Sequence, residues 1–178
     1  ERGIAWRNVA GYSTESVAQH TFALLFYLLE KLRYYDDYVK TEKYVGDVTF
    51  THFAKRFHQL SGMTYGIIGL GKIGTRTAEL FHAFGATVLA QSRTHHDGIA
   101  EYIEQVTQEE LLRHSDIVVL HCPLNDSTRG MINAEKLAMM KPTALLVNVA
   151  RGPVVVEKDL AAALENGVIA GAAIDVFD

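Results

Sequence analysis

The sequence predicts an α/β domain built on a doubly wound parallel sheet, and two patterns in its residues support this fold class. From Thr64 onward, short apolar segments alternate with segments of helical periodicity, which is typical of repeated β/α units. The segments DIVVL (116–120) and ALLVNV (144–149) are almost wholly apolar, as expected for strands that helices cover on both faces of a parallel sheet.

The alternation assigns five strands and four helices to residues 62–178, which we expect to form one domain. The predicted strands lie near 64–69, 87–91, 116–121, 143–149 and 168–174, and the predicted helices near 72–84, 107–114, 134–140 and 157–165. The first of these helices carries an apolar face, and Gly85 is suited to end it. The residues on this face are Ile73, Thr77, Leu80, Phe81 and Phe84.

Residues 1–61 are predicted to be a separate part of the chain. They contain a short strand at 3–8, one long helix at 16–35, and a connecting segment without clear periodicity at 36–61. Ser13 or Thr14 is the expected N-cap of the helix.

The long helix is apolar almost all round from Phe22 to Leu29, whereas a helix on the surface of a monomer has one polar face. Burial between domains and contact with a second subunit both explain this pattern, and the two are compatible. The second interpretation predicts a homodimer, with Leu25 and Leu29 in the contact.

Composition indicates an ordinary globular protein, because 48% of the 178 residues are apolar and 21% are charged. The net charge of −4, without a basic stripe, argues against a nucleic-acid partner. Cys122, as the one cysteine, excludes an internal disulfide and fits the reducing cytoplasm. The longest apolar run, 22–29, is far shorter than the ~20 residues that span a bilayer, so we expect no membrane association.

Because the sequence starts at Glu1 and stops at Asp178 directly after a strand-like run, we expect a domain of a longer protein.

The segment GLGKIG (69–74) has the G-x-G-x-x-G spacing of a dinucleotide-binding turn, and it lies between a predicted strand and a predicted helix. Gly69 allows the tight turn, Gly71 lets a pyrophosphate approach the backbone, and Gly74 lets the helix pack close to the strand. The free N–H groups at the start of the helix attract phosphate. The context therefore predicts a Rossmann-type domain that binds a dinucleotide.

Ser92-Arg93-Thr94 stands eighteen residues past Gly74, where such domains place an acidic residue that binds the adenosine ribose. Serine removes the negative charge that repels a 2′-phosphate, and an arginine offers two donors to phosphate oxygens. Thr94 and the two histidines that follow it, His95 and His96, provide further donors. The residues favour NADP over NAD, with the alternative that Arg93 is a solvated loop residue and both cofactors bind.

Arg151 follows the predicted strand at 143–149, at the carboxyl end where open parallel sheets bind ligands. A guanidinium there is suited to hold a substrate carboxylate and to polarise a carbonyl. A structural arginine paired with a helix end is the alternative, and spacing alone leaves both open.

Five segments in this order resemble the D-isomer-specific 2-hydroxyacid dehydrogenase family, in particular its glyoxylate/hydroxypyruvate reductase and glycerate dehydrogenase-like branch. They are GYSTESVAQHT (11–21), GIIGLGKIG (66–74), HCPLNDSTRGMI (121–132), NVARGPVVVEKDLAAAL (148–164) and GAAIDVF (171–177). The resemblance covers essentially the whole chain. It implies a nucleotide-binding domain that the full protein inserts between two segments of a substrate domain.

The resemblance also implies roles for individual positions. Arg151 matches the catalytic arginine, Lys72 and Ile73 match turn residues whose backbone meets the pyrophosphate, and Ser92 matches the selector of ribose or 2′-phosphate. The other matching positions are Cys122, Pro123 and Thr128 in a loop that lines the cofactor, Val149 and Ala150 near the nicotinamide, Asp175 near its carboxamide, and Tyr12 and Thr14 at the inter-domain hinge.

Two departures from the family pattern are visible. Val156 stands where the family usually has an aspartate, which predicts a weaker start of the next helix. The family's catalytic glutamate falls five residues past Asp175, beyond this sequence, and its proton-donating histidine lies further on.

None of the eight histidines here matches the position of that proton donor, and none has metal-ligand spacing. His121 belongs to the cofactor loop. Cys122 has no evident activating base, so we do not expect a nucleophile there.

The activity implied by the resemblance is hydride transfer between NAD(P)H and a small 2-oxo acid, which gives a D-2-hydroxy acid. We expect this chain alone to be inactive, since it lacks the family's catalytic glutamate and histidine. Two alternatives stay open: a dinucleotide-sensing binding protein similar to the corepressors of this family, and a formate or phosphite dehydrogenase of the same family.

Overall fold

The structure is a computed structural model that describes residues 3, 7, 9, 11–46, 48–94 and 97–178. Within them, a six-stranded sheet has the order β3-β2-β1-β4-β5-β6, and every neighbouring pair is parallel. The strands are β1 (Thr64–Ile68), β2 (Thr87–Gln91), β3 (Ile103–Gln105), β4 (Ile117–Leu120), β5 (Leu145–Asn148) and β6 (Gly171–Ile174). The predicted doubly wound fold is confirmed. The order reverses between β1 and β4, and this reversal opens a crevice outside the carboxyl ends of those strands.

Helices cover both faces of this sheet, and two short 3₁₀ turns complete the described elements. The helices are α1 (Thr14–Leu29), α2 (Leu32–Lys40), α3 (Lys72–Ala83), α4 (Gln108–His114), α5 (Ala134–Met139) and α6 (Glu157–Glu165). The 3₁₀ turns are Lys43–Gly46 and Gly152–Val154. No helix in the described part of the chain is long and apolar enough to cross a membrane.

The prediction of one helix at 16–35 is wrong, because the chain forms α1 and α2 with a break between them. Lys31 at the break has a φ of +53°, a left-handed conformation that an α-helix cannot continue through. Ser13 is the N-cap of α1, as expected, but its side chain makes no capping hydrogen bond.

The apolar side of α1 packs inside this chain, so the expected subunit contact through Leu25 and Leu29 is also wrong. Leu25 is 0% exposed and Leu29 is 5% exposed, in a core shared with β1 and α3. The ring of Phe22 stacks on the ring of Phe81 in α3, with 4.3 Å between the centroids. The residues that gave α1 its apolar character therefore stabilise the fold itself.

Three details of the predicted elements differ from the structure. Strand β3 was not predicted, because its three residues form an edge strand paired only with β2 and carry no apolar run. Phe84 lies just beyond the end of α3 and is 49% exposed, whereas Gly85, with a φ of +80°, ends the helix as predicted. The segment 36–61 contains the second half of α2 and a 3₁₀ turn. Most of the strand expected at 3–8 lies outside the described residues.

Candidate functional site

The glycine turn adopts the geometry that its spacing predicts. Gly69 has a φ of +106°, and a Cβ on it would lie 2.6 Å from the backbone nitrogen of Cys122. A Cβ on Gly74 would collide with the carbonyl oxygen of Gly69, so the close approach of α3 to the turn requires glycine. Among the described residues, no heavy atom lies within 4 Å of a Cβ built on Gly71, which leaves that backbone open to a ligand.

The first turn of α3 faces this open space with unsatisfied donors. Gly71 is the N-cap and offers no side-chain cap, so the first N–H groups of the helix, beginning at Lys72 and Ile73, have no partner within the helix. These donors and the positive end of the helix dipole favour an anion such as a pyrophosphate.

A cavity of about 500 Å³ lies beside the turn, at the carboxyl ends of β1, β2 and β4. It brings together eight residues predicted from the sequence to contact the cofactor. They are Gly69, Gly71, Ser92, Arg93, Thr94, Cys122, Pro123 and Thr128. The size is within the range of small-molecule sites.

A second cavity, of about 390 Å³, continues the first along the sheet edge. The two share His121, Cys122 and Pro123, and the second also contains Ile73, Val149, Ala150 and Arg151 among its lining residues. Together they form a cleft from Ser92 at one end to Arg151 at the other. The sequence-predicted residues Lys72, Gly74 and Asp175 line neither cavity, although Lys72 and Gly74 are chain neighbours of Gly71 and Ile73, which do.

The ribose end of the cleft carries a cation, Arg93, and the strand β2 is followed by Ser92 instead of an acidic residue. The carboxylate that lines a shared pocket with Ser92 and Thr94 is that of Glu110, which accepts from the N–H and hydroxyl of Thr107. Arg93 and Thr94 are exposed, and the Ser92 hydroxyl donates to the Thr94 carbonyl at 2.6 Å. Ser92 therefore keeps only acceptor capacity, and the charged donors that this loop offers to a phosphate are those of the Arg93 guanidinium. His95 and His96, named above as further donors, lie outside the described residues.

Arg151 is exposed at the opposite end, on a loop that the buried side chain of Asn148 holds in place. Asn148 is 1% exposed; its Nδ2 donates to the Arg151 carbonyl at 3.0 Å, and its Oδ1 accepts from the Ala150 N–H at 3.0 Å. Both ends of one amide thus fix the backbone that presents the guanidinium. Asn148 was not predicted as a site residue, although a polar residue within the apolar run LLVNV was a usable signal.

His121 lies between the two cavities and is partly buried, with its Nε2 3.2 Å from the hydroxyl of Thr77. Burial lowers the pKa of His121 to about 4, so the imidazole is neutral at physiological pH. A neutral imidazole fits the wall of a cofactor cleft and does not suit a general acid.

The low pKa of His121 predicts a pH-dependent stability. As pH falls below about 6.5, the unfolded chain binds a proton at this residue, whereas the native state resists protonation until about pH 4. The free energy of unfolding should fall across this window by up to about 3 kcal/mol from His121 alone, and this contribution should level off below it.

Urea unfolding of the His121→Gln variant should therefore show a flatter pH dependence than the unaltered chain between those two pH values. His114→Gln is the matched control, because His114 is exposed. Equal slopes for the unaltered chain and His121→Gln would contradict the assignment.

Cys122 is buried and unpaired, and burial raises the pKa of its thiol, which keeps it protonated. This agrees with the expectation that Cys122 is not a nucleophile. Within the described residues, no group of three or more His, Cys, Asp or Glu side chains is arranged to hold a metal ion.

Asp175 follows β6 and is held next to the Arg151 loop. Its backbone N–H donates to the Asn148 carbonyl at 3.0 Å, and its Oδ1 lies 3.3 Å from Nε2 of His20 on α1.

The other positions singled out in the sequence lie at the starts of helices. Tyr12 is exposed just before α1, whose first residue is Thr14. Val156 is the N-cap of α6 and makes no side-chain cap, as its residue type predicts.

The sheet order and the cleft over a glycine turn define a dinucleotide-binding α/β domain. Residues 22–178 match the family model described as D-isomer specific 2-hydroxyacid dehydrogenase, NAD binding domain, and the chain belongs to this family. The resemblance expected from the sequence is thus confirmed, and the cofactor class is a nicotinamide dinucleotide.

Comparison with individual proteins agrees with this family. The chain is 36% identical over 177 residues to a hydroxypyruvate reductase of Blautia hydrogenotrophica, covering 99% of this chain and 55% of that relative. It is 35% identical to a D-lactate dehydrogenase from Aquifex aeolicus, solved with NAD and lactic acid, with a TM-score of 0.88 over 96% of this chain and 50% of that one. An acyclic imino acid reductase in complex with NADPH and D-Arg is 32% identical, with a TM-score of 0.84 over 93% of this chain and 52% of that one. The chain therefore spans about half the length of these relatives.

Proposed function

We propose that this chain is the cofactor domain of an oxidoreductase that transfers a hydride between NAD(P)H and a small 2-oxo acid of the glyoxylate or hydroxypyruvate type, giving a D-2-hydroxy acid. The observation that carries the proposal is the cleft along the carboxyl edge of the sheet. Within the described residues it has open space over the backbone of Gly71, and an exposed arginine, Arg151, stands at its far end.

Each part of the cleft suits one part of the dinucleotide. The backbone over Gly71, Lys72 and Ile73 suits the pyrophosphate, because the first N–H groups of α3 have no partner within the helix and no side-chain cap among the described residues. The walls formed by Val149 and Ala150 suit the nicotinamide ring, which when bound supplies the hydride.

Arg151 is the residue of this chain that we assign to the substrate. Its guanidinium can donate two parallel hydrogen bonds to the carboxylate of a 2-oxo acid and stabilise negative charge that develops on the carbonyl oxygen. His121 is too weak a base to carry the proton that this oxygen needs. We assign that proton to the family's histidine, which none of the eight histidines in this chain matches.

We further propose that NADP is preferred over NAD. The exposed guanidinium of Arg93 and the end of strand β2, which carries no carboxylate, support this preference.

A homodimer is proposed as well, supported by large apolar side chains exposed around α1 and α2. They are Tyr12, Tyr27, Leu32 and Val39. The single unpaired cysteine supports a cytoplasmic location.

Two measurements test the proposed function. Isothermal titration calorimetry should show that this chain binds NADPH and NADH, and the chain alone should not reduce a 2-oxo acid because it lacks the proton donor. The protein with its complete natural sequence should reduce glyoxylate or hydroxypyruvate. Binding of neither dinucleotide by the chain, or 2-oxo acid reduction by the chain alone, would contradict the proposal.

A further inference from the structure

We infer that His20 is a positioning residue for the nicotinamide end of the cleft: it orients the carboxylate of Asp175 so that this carboxylate accepts a hydrogen bond from the carboxamide of a bound nicotinamide ring. The inference rests on the proposed function, because it needs the ring to lie beside Val149 and Ala150. It adds a residue of α1 to a site otherwise built from the carboxyl ends of strands and the first turn of α3.

The contact joins two distant parts of the sequence. Nε2 of His20 lies 3.3 Å from Oδ1 of Asp175, and the two side chains are 46% and 53% exposed. An ion pair or hydrogen bond with this exposure adds little to stability. Its exposure also leaves both groups open to a ligand, so a role in the site explains the pair better than a role in folding.

Both partners stand on rigid supports, which reduces the entropy lost when they meet. On α1, the neighbours Ala18 and Thr21 are 0% exposed, so the helix backbone that carries His20 is fixed in the core. Asp175 is fixed by its own N–H, which donates to the Asn148 carbonyl at 3.0 Å. The remaining freedom of Asp175 lies in its side chain, and His20 restricts that freedom.

The register of the sheet places Asp175 at the nicotinamide end. Asn148 of β5 pairs with Ile174 of β6, and Val149 and Asp175 directly follow this last pair of the register. Val149 lines the cavity that ends at Arg151. A carboxylate there offers only acceptors, and a carboxamide offers two N–H donors. Oδ1 of Asp175 lies next to the imidazole, and no described residue donates a hydrogen bond to Oδ2, so Oδ2 can accept from the carboxamide.

The test compares dinucleotides that differ only at the carboxamide. Calorimetric titration of the full chain gives the dissociation constants of NADH and of its 3-acetylpyridine analogue, in which a methyl ketone without N–H donors replaces the amide. The unaltered chain should prefer NADH. His20→Ala should reduce that preference about threefold, as expected for loss of a half-exposed pair. His20→Gln, which keeps an N–H donor, should recover part of the preference.

Asp175→Ala should remove the carboxamide preference, by about tenfold. In the double variant, His20→Ala should have no further effect, because His20 acts only through Asp175. ADP-ribose, which lacks the nicotinamide ring, should bind all variants equally, and this shows that each variant remains folded. His114→Ala, an exposed histidine on α4, is the control that should change nothing.

The possible failures are distinguishable. If the unaltered chain binds neither dinucleotide, the proposed function and this inference both fall. If NADH binds but the unaltered chain does not distinguish it from the analogue, or if His20→Ala leaves the preference unchanged, this inference alone is overturned. A further loss from His20→Ala in the Asp175→Ala background would also overturn it, since His20 would then act independently.

Discussion

Replacing Arg151 by alanine should lower kcat/KM for the 2-oxo acid by about 10²- to 10³-fold in the protein with its complete natural sequence, the loss typical when one donor to a developing oxyanion is removed. Arg151 is exposed at the end of the cleft, on a loop whose backbone Asn148 holds by two hydrogen bonds. The backbone that carries Arg151 is therefore fixed, and Nη1 of its guanidinium donates to the Ala150 carbonyl at 2.6 Å. The guanidinium has five N–H donors, so others are left to form paired hydrogen bonds with a carboxylate.

Arg151→Lys separates charge from geometry in this prediction. Lysine keeps the positive charge but lacks the planar fork, so we expect only partial recovery of kcat/KM relative to alanine. The dissociation constant of NADPH should stay unchanged in both variants. Arg113→Ala is the control, because Arg113 is paired with Glu109 on the exposed side of α4. Activity of Arg151→Ala within a few-fold of the unaltered protein would show that Arg151 is structural.

Replacing Arg93 by alanine should weaken NADPH binding about ten- to a hundredfold while NADH binding stays nearly unchanged, because one charge-assisted hydrogen bond contributes roughly 1.5–3 kcal/mol. Arg93 is exposed at the rim of the first cavity, and the Ser92 hydroxyl is engaged with the Thr94 carbonyl. The guanidinium is therefore the principal donor that this loop offers to a 2′-phosphate. Calorimetric titration with both cofactors measures the effect.

Ser92→Asp should reverse the cofactor preference, because a carboxylate accepts hydrogen bonds from the ribose hydroxyls and repels the 2′-phosphate. Added salt should narrow the difference between NADPH and NADH in the unaltered chain, since the contact is ionic and exposed. Arg33→Ala is a suitable control, because Arg33 lies on α2 and pairs with Asp37. If Arg93→Ala changes neither cofactor's affinity, Arg93 is a solvated loop residue and both cofactors bind without its help.

Local residue patterns determined the class of fold and the pyrophosphate end of the site. The apolar runs of β1, β4 and β5 are readable in the sequence, because strands covered on both faces are apolar at most positions and do not alternate with polar residues. The glycine turn is readable because its three requirements, a positive φ, an open backbone and close helix packing, act within six residues.

Only the tertiary structure decided what covers α1 and which residues support the site. An apolar helix can bury its side chains against a partner subunit or against its own chain, and the sequence does not distinguish the two. In the structure, Phe22 and Leu25 pack against α3 of the same chain. Strand β3 forms because it pairs with the backbone N–H and C=O groups along the edge of β2. The contacts of Asn148 with the Arg151 loop and of His20 with Asp175 depend on how strands and helices far apart in sequence are placed together. Such contacts leave no local pattern, because the free energy that selects them arises from packing between elements rather than from neighbouring residues.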